Sequence, residues 1–159
     1  MKYIIIALFS FFAFSNNAWS LTTLKFKSKY DGRHVIDLGD SGTSIGDLTA
    51  GHGNVFAING DVIGRFYVYT ISTKESSSSE VKYVNAEYAF GDGLDTINIM
   101  GSGEYTPGGL AALNRPLYFA ISGGTGKYSG ARGVCEVARM NDGDHIVTCK
   151  FSAMRIKFK

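Results

Sequence analysis

Proline and cysteine are scarce in this 159-residue chain, at two each, tryptophan occurs once, and charged residues make up only 19%. A hydrophobic share of 45% excludes a disordered chain, and no glycine-triplet or heptad period is present to suggest collagen or a coiled coil. Sixteen basic residues against 14 acidic ones, a net charge of +2, give no electrostatic argument for nucleic acid. No Asn-x-Ser/Thr site, no nucleophile elbow and no Ser, His and Asp set are evident. His34, His52 and His145 are scattered, without Cys or His at metal-ligand spacing, so neither a metal site nor a cofactor is expected. No 3.6-residue periodicity persists for three turns, which removes long helices from the account. The length is that of one domain.

What is present begins with an export signal. Lys2 precedes an apolar run from Ile4 to Phe14, broken only by Ser10, and Ala18 and Ser20 are the small residues a signal peptidase reads. The run is far short of the ~20 residues of a membrane-spanning helix. Residues 1–20 are therefore expected to be a cleaved secretory signal, and residues 21–159 a soluble domain, periplasmic or secreted, that does not engage a membrane. Trp19 leaves with the signal, while all 20 glycines remain, about twice the ordinary density of ~7%.

Two cysteines in an exported chain are a disulfide candidate. Cys135 and Cys149 flank the turn Asn141-Asp142-Gly143-Asp144. A hairpin centred on Asp142 sets Cys135 opposite Cys149, Val137 opposite Val147 and Arg139 opposite His145, all on one face. The alternative is two buried free thiols.

Beyond residue 21, apolar residues alternate with polar ones or run in short blocks, punctuated by Gly, Asn and Asp. Strands are expected at 23–29, 33–37, 47–58, 62–73, 81–90, 95–103, 117–122, 133–140 and 145–157, eight or nine in all. Asn59-Gly60-Asp61, Gly91-Asp92-Gly93 and Asp142-Gly143 supply hairpin turn chemistry, so sequence neighbours are antiparallel neighbours. The polar stretch from Thr73 through four serines to Glu80 reads as an exposed loop with no chemistry. Glu104 to Pro116 holds both prolines and reads as an irregular excursion, with a short helical turn at 110–113, that closes one mouth of a barrel. Eight antiparallel strands suit a sandwich or a closed barrel. Val62, Phe66 and Val68 share one face while Ile63, Tyr67, Tyr69 and Ile71 share the other, and this two-sided apolarity suggests a filled interior plus an exterior covered by a second subunit, as in a homodimer or homotrimer.

The segment from Ala120 to Gly133, AISGGTGKYSGARG, resembles the signature turn of the allene oxide cyclase and dirigent protein superfamily. Ile45-Gly46-Asp47-Leu48, the hairpin from Asn59 to Arg65 and the strand from Asp95 to Gly103 resemble further segments of that family in the same order, so the likeness spans about residues 45 to 138. It implies an all-β fold, a closed eight-stranded antiparallel barrel with a small apolar cavity, often oligomeric. The allene oxide cyclase site carries a proline and an asparagine after the Gly-Asp entry; here Leu48 to Asn54 contains no proline. A short signal and no glycosylation site suit a bacterial exported member better than a plant wall protein.

The glycine-rich turn itself reads as a strand reversal, since Ile121 and Tyr128 stand where a phosphate-binding loop needs Gly and Ser or Thr. Asp47 and Arg132 are candidates for a structural ion pair or for a polar contact to a ligand at the barrel mouth. Asn54, Arg65, Tyr67, Tyr88 and Glu104 are the remaining candidate ligand-binding residues, although strand parity alone does not say which face is inward. The basic residues Lys150, Arg155, Lys157 and Lys159 alternate with apolar ones, as in a solvent-facing terminal strand. Two functions remain: a cofactor-free barrel binding a small apolar or aromatic molecule, or a cofactor-free isomerase or cyclase. A structural barrel without a ligand is the third possibility.

Overall fold

In a computed structural model, which describes residues 21–153 apart from Ser77, the chain forms eight strands. They are β1 (Thr22–Ile36), β2 (Leu48–Phe56), β3 (Val62–Glu75), β4 (Glu80–Phe90), β5 (Asp95–Tyr105), β6 (Leu117–Gly124), β7 (Arg132–Arg139) and β8 (His145–Ser152). Every strand pairs antiparallel with its neighbour in sequence, and β1 pairs with β8, closing an eight-stranded barrel without edges. The signal segment and the basic residues Arg155, Lys157 and Lys159 lie outside the described residues.

The short hairpins have the turn residues they need: Gly60 and Gly143 adopt φ of 102° and 88°, a region closed to most side chains. The segments expected at 23–29 and 33–37 are one strand. They read as two because Asp31 forms a bulge against β2, where Tyr30 pairs with Gly53 and Gly32 with His52. The bulge has a consequence for the interior: with alternation broken there, Tyr30 and Arg33, three residues apart, both line it.

One end of the barrel is packed solid. Phe26 meets Tyr88 and Phe90 edge-on at 4.9 and 5.4 Å, and Tyr128 meets Phe90 and Phe151 at 5.5 and 5.7 Å. Tyr128 belongs to a 3-10 turn, Gly126–Tyr128, within the AISGGTGKYSGARG segment, so that segment serves to cap the closed end. Lys127 fixes it to β5 through an ion pair with Asp95 at 2.9 Å. Cys135 and Cys149 face one another across β7 and β8 and form a disulfide, with Val137 opposite Val147 and Arg139 opposite His145.

The other end is covered differently. The excursion between β5 and β6 folds across the mouth, and Ala111 is buried there. It contains no helical turn at 110–113; instead Thr106 bridges Leu110 and Leu113 bridges Arg139, so strand-like contacts anchor it. The polar loop is shorter than its composition suggests. Thr73 belongs to β3, and Glu80 opens β4 as one of the most buried side chains of the molecule, 1% exposed.

Candidate functional site

Between the aromatic plug and the covering loop lies a cavity of about 290 Å³. Its formation follows from the inner-face residues. On β2, Gly51 and Gly53 are buried, and a methyl group on them would come within 2.7 Å of the Tyr30 and Phe66 rings respectively. Glycine there makes room for aromatic rings inside the barrel. Ala86 and Val84 on β4 keep the opposite wall thin, and Val68, Ile99, Leu117, Phe119 and Val137 complete an apolar lining. The aromatic side chains form a ladder from plug to mouth: Phe26 touches Tyr88, Tyr88 lies 6.0 Å from Phe66, Phe66 lies 5.0 Å from Tyr30, and Tyr30 lies 5.9 Å from His145.

Polar groups gather towards the mouth. Ser28, Thr49, Thr70, Tyr30 and Tyr105 line it, together with Arg33, Lys82, Arg139 and His145. Lys82 and Glu80 form a buried ion pair, with Nζ 2.9 Å from Oε2 and side-chain exposures of 7% and 1%. The contact lies off the line of a directed hydrogen bond, and the other oxygen, Oε1, accepts the Gly108 backbone N–H at 2.8 Å. Glu80 thus holds Lys82 and the covering loop at once. Arg139 Nη1 donates to the Ala111 carbonyl at 3.3 Å, a second tie to the same loop.

Burial sets the protonation states of the site. It pushes the phenols of Tyr30, Tyr88 and Tyr105 above their ordinary value, because a phenolate would be poorly solvated there. The Arg33 charge opposes this weakly at Tyr30, as the Ser28 hydroxyl does at Tyr88. Burial also lowers His145, the nearby Arg139 adds to the effect, and Asp144 opposes it. At neutral pH the cavity therefore presents three neutral phenols and, at the mouth, a neutral imidazole beside Arg33, Lys82 and Arg139.

Of the seven residues singled out from the sequence, Tyr88 lines the cavity and the other six lie elsewhere. Asp47 organises the loop before β2: it accepts the N–H groups of Leu38 at 2.9 Å and Ser44 at 2.7 Å, which hold its carboxyl below the ordinary range. Arg132 sits at the opposite end of the barrel and donates to the Ala131 carbonyl, so the pair Asp47–Arg132 does not form. Asn54 and Arg65 both engage Asp31 on the outer surface, at 2.8 and 3.8 Å. Tyr67 lies in a shallow outer groove beside His34, His52 and Glu87. Glu104 faces outward and pairs with Arg115 at 2.6 Å.

Sequence reading missed Lys82, Glu80 and Arg33. For the first two the signal was available: Glu80, Lys82, Val84, Ala86, Tyr88 and Phe90 share one parity, and the last four are plainly apolar. Among the described residues, no three His, Cys, Asp or Glu side chains are grouped to hold a metal ion.

No family model matches this chain, and no curated protein matches it. Solved structures do. A pyocyanin demethylase superposes with a TM-score of 0.68 at 21% identity, over 82% of this chain and 99% of that one. A Diels-Alderase from Streptomyces koyangensis superposes at 0.66 with 14% identity, over 88% and 72%. A nonspecific heme-binding cyclase that catalyses a [4 + 2] cycloaddition superposes at 0.64 with 13% identity, over 85% and 65%. At these identities the likeness is one of fold: this chain shares its closed eight-stranded barrel with small barrel proteins that act on organic molecules.

Proposed function

We propose that this protein is an exported barrel, of the allene oxide cyclase and dirigent type, that binds a small aromatic or apolar molecule between its aromatic plug and its covering loop. The observation that carries the reading is the cavity: about 290 Å³, apolar in depth and polar at the mouth, in a barrel whose other half is filled. That volume is near the lower end of the roughly 300–1,000 Å³ of small-molecule sites. Export is part of the proposal, supported by the signal-like first twenty residues and by the Cys135–Cys149 disulfide, a bond of oxidising compartments. Among the described residues, no helix is long and apolar enough to cross a membrane.

A cofactor-free isomerase or cyclase is the second reading, favoured by the phenols of Tyr88 and Tyr105. Held protonated beside an apolar cavity, they are hydrogen-bond donors for charge that develops on a folded substrate. The experiment for both is native mass spectrometry of the protein from its own source, alongside an Ala86→Phe variant that places a ring in the cavity. A retained small molecule, lost in the variant while its circular dichroism stays that of the barrel, supports the proposal. Equal retention by the filled barrel overturns it.

A further inference from the structure

The charges that line the cavity are all of one sign. Arg33, Lys82 and Arg139 reach it, and no aspartate or glutamate does, although the whole chain is close to neutral. This asymmetry is built by the fold. The bulge at Asp31 sends that carboxylate outward, to Asn54 and Arg65, and turns Arg33 inward two residues later. Glu80 compensates Lys82 from behind the cavity wall. Arg33 and Arg139 make no ion pair among the described residues.

Two of these cations converge on one point. Gly109, in the covering loop at φ 74°, lacks a side chain where a methyl group would fall 2.8 Å from both Arg33 Nη2 and Lys82 Nζ. The positive φ favours glycine at this position, and its missing side chain lets both groups sit there undisplaced. Glu80 already offsets the Lys82 charge, so the pair of cations carries one net positive charge at the mouth, that of Arg33, which an anion entering beside Lys82 would neutralise. A guanidinium offers two parallel N–H donors to an oxyanion and an ammonium adds a point charge, so the pair suits a carboxylate or a comparable oxyanion.

We propose that the molecule held in the cavity is amphipathic: an aromatic or apolar body against Phe66, Tyr88 and Phe119, and an anionic group at the mouth, bound by Arg33 and Lys82 beneath Gly109. This rests on the cavity reading above and adds to it the charge of the ligand and the end at which the charge sits. Glu80 then acts as a positioning residue, since it fixes Lys82 and, through the Gly108 N–H, the loop that brings Gly109 over the site.

The test uses two probes with one body. The purified protein is titrated with 2-naphthoate and with its neutral counterpart 2-naphthamide, read by naphthalene fluorescence, at low and at high salt. Naphthoate should bind at least about tenfold more tightly, in line with one charge-assisted contact. The Arg33→Met variant, whose altered side chain is exposed and whose barrel should be undisturbed, should bring the two probes within about threefold of one another, the ratio being the readout whatever the absolute affinity of the amide. Equal binding of both probes by the unaltered protein overturns the anionic subsite and leaves the cavity reading standing. A preference that survives in Arg33→Met overturns the assignment of Arg33. If neither probe binds, the cavity reading itself falls, and the anionic subsite with it. Competition of naphthoate by millimolar inorganic phosphate without competition of the amide would further support an oxyanion site.

Discussion

Lys82 and Glu80 provide the sharpest test of how the mouth is built. The pair is almost wholly withdrawn from water, at 7% and 1% side-chain exposure, and each charge depends on the other. Removing one partner of such a pair strands a buried charge, which costs about 3–5 kcal/mol. Lys82→Met keeps most of the side-chain volume and should fall in that range. For a domain of this size each kcal/mol lowers the midpoint by roughly 3–5 °C, so a loss of roughly 10–25 °C is expected. Glu80→Leu removes the other charge and also the acceptor for the Gly108 N–H at 2.8 Å, which adds about 1 kcal/mol if that amide finds no other partner.

The double variant Glu80→Leu/Lys82→Met leaves no charge behind. It should cost only about 1–2 kcal/mol, chiefly the lost Gly108 contact, and so be more stable than either single variant. The assay is urea denaturation with the disulfide intact, followed by circular dichroism and by tyrosine fluorescence. Coincident transitions and an unchanged denaturant slope are needed before the midpoints are compared. If the two single losses simply add in the double variant, the charges are not coupled, and the account of a buried pair holding the covering loop is refuted.

Three further outcomes follow from the same geometry. Replacing both Cys135 and Cys149 with alanine should lower stability by about 3 kcal/mol, the chain-entropy value for closing a loop of 14 residues, and denatured, non-reduced protein should show no reactive thiol. His145 is depressed in the folded state, so its contribution is fully present above the unfolded value of about 6.5 and is lost as pH falls from there towards the folded value. The thermal midpoint should therefore fall more steeply between pH 7 and 5 in the unaltered protein than in His145→Gln; parallel curves would contradict the burial of the ring. Tyr88 and Tyr105 are raised, which places their contribution below about pH 10 and removes it as pH climbs through the folded values. In an alkaline titration the last tyrosinate absorbance should appear together with unfolding, and its full appearance in the folded barrel would contradict the buried site.

The barrel itself was legible because its causes are local. Gly60 and Gly143 mark turns that force neighbouring strands to pair, and the hairpin around Asp142 determined the Cys135–Cys149 register by counting alone. The one split strand and the one absent helical turn came from elements that sequence alternation does not describe. A bulge at Asp31 made one strand look like two, and the 106–116 cover is held by bridges and by contacts to Glu80 and Arg139 rather than by a turn of helix. Composition misled at Glu80 for a plain reason. Serines on its N-terminal side suggested solvent, whereas its parity with Val84 and Ala86 placed it inside.

The site was less legible because a polar residue inside a barrel carries no mark of its own. Arg65 and Arg33 are each flanked by glycine on one side and sit in long strands, yet one meets Asp31 outside and the other enters the cavity. What separates them is the single extra residue in β1, which shifts the inward parity from Tyr30 to Arg33. Deleting Asp31 should restore strict alternation without moving either side chain: Tyr30 and Arg33 would stand two residues apart, on one face, still opposite Gly53 and Gly51, whose register on β2 is already continuous across the bulge. The deletion variant should therefore keep the preference for naphthoate over naphthamide while losing the outer contacts of Asp31 to Asn54 and Arg65. Loss of the preference in a variant that keeps the circular dichroism of the barrel would refute this register. Inserting one residue after Gly32 is the opposite perturbation, since it shifts Arg33 by one position and sends it to the outer face, and that variant should bind the two probes alike.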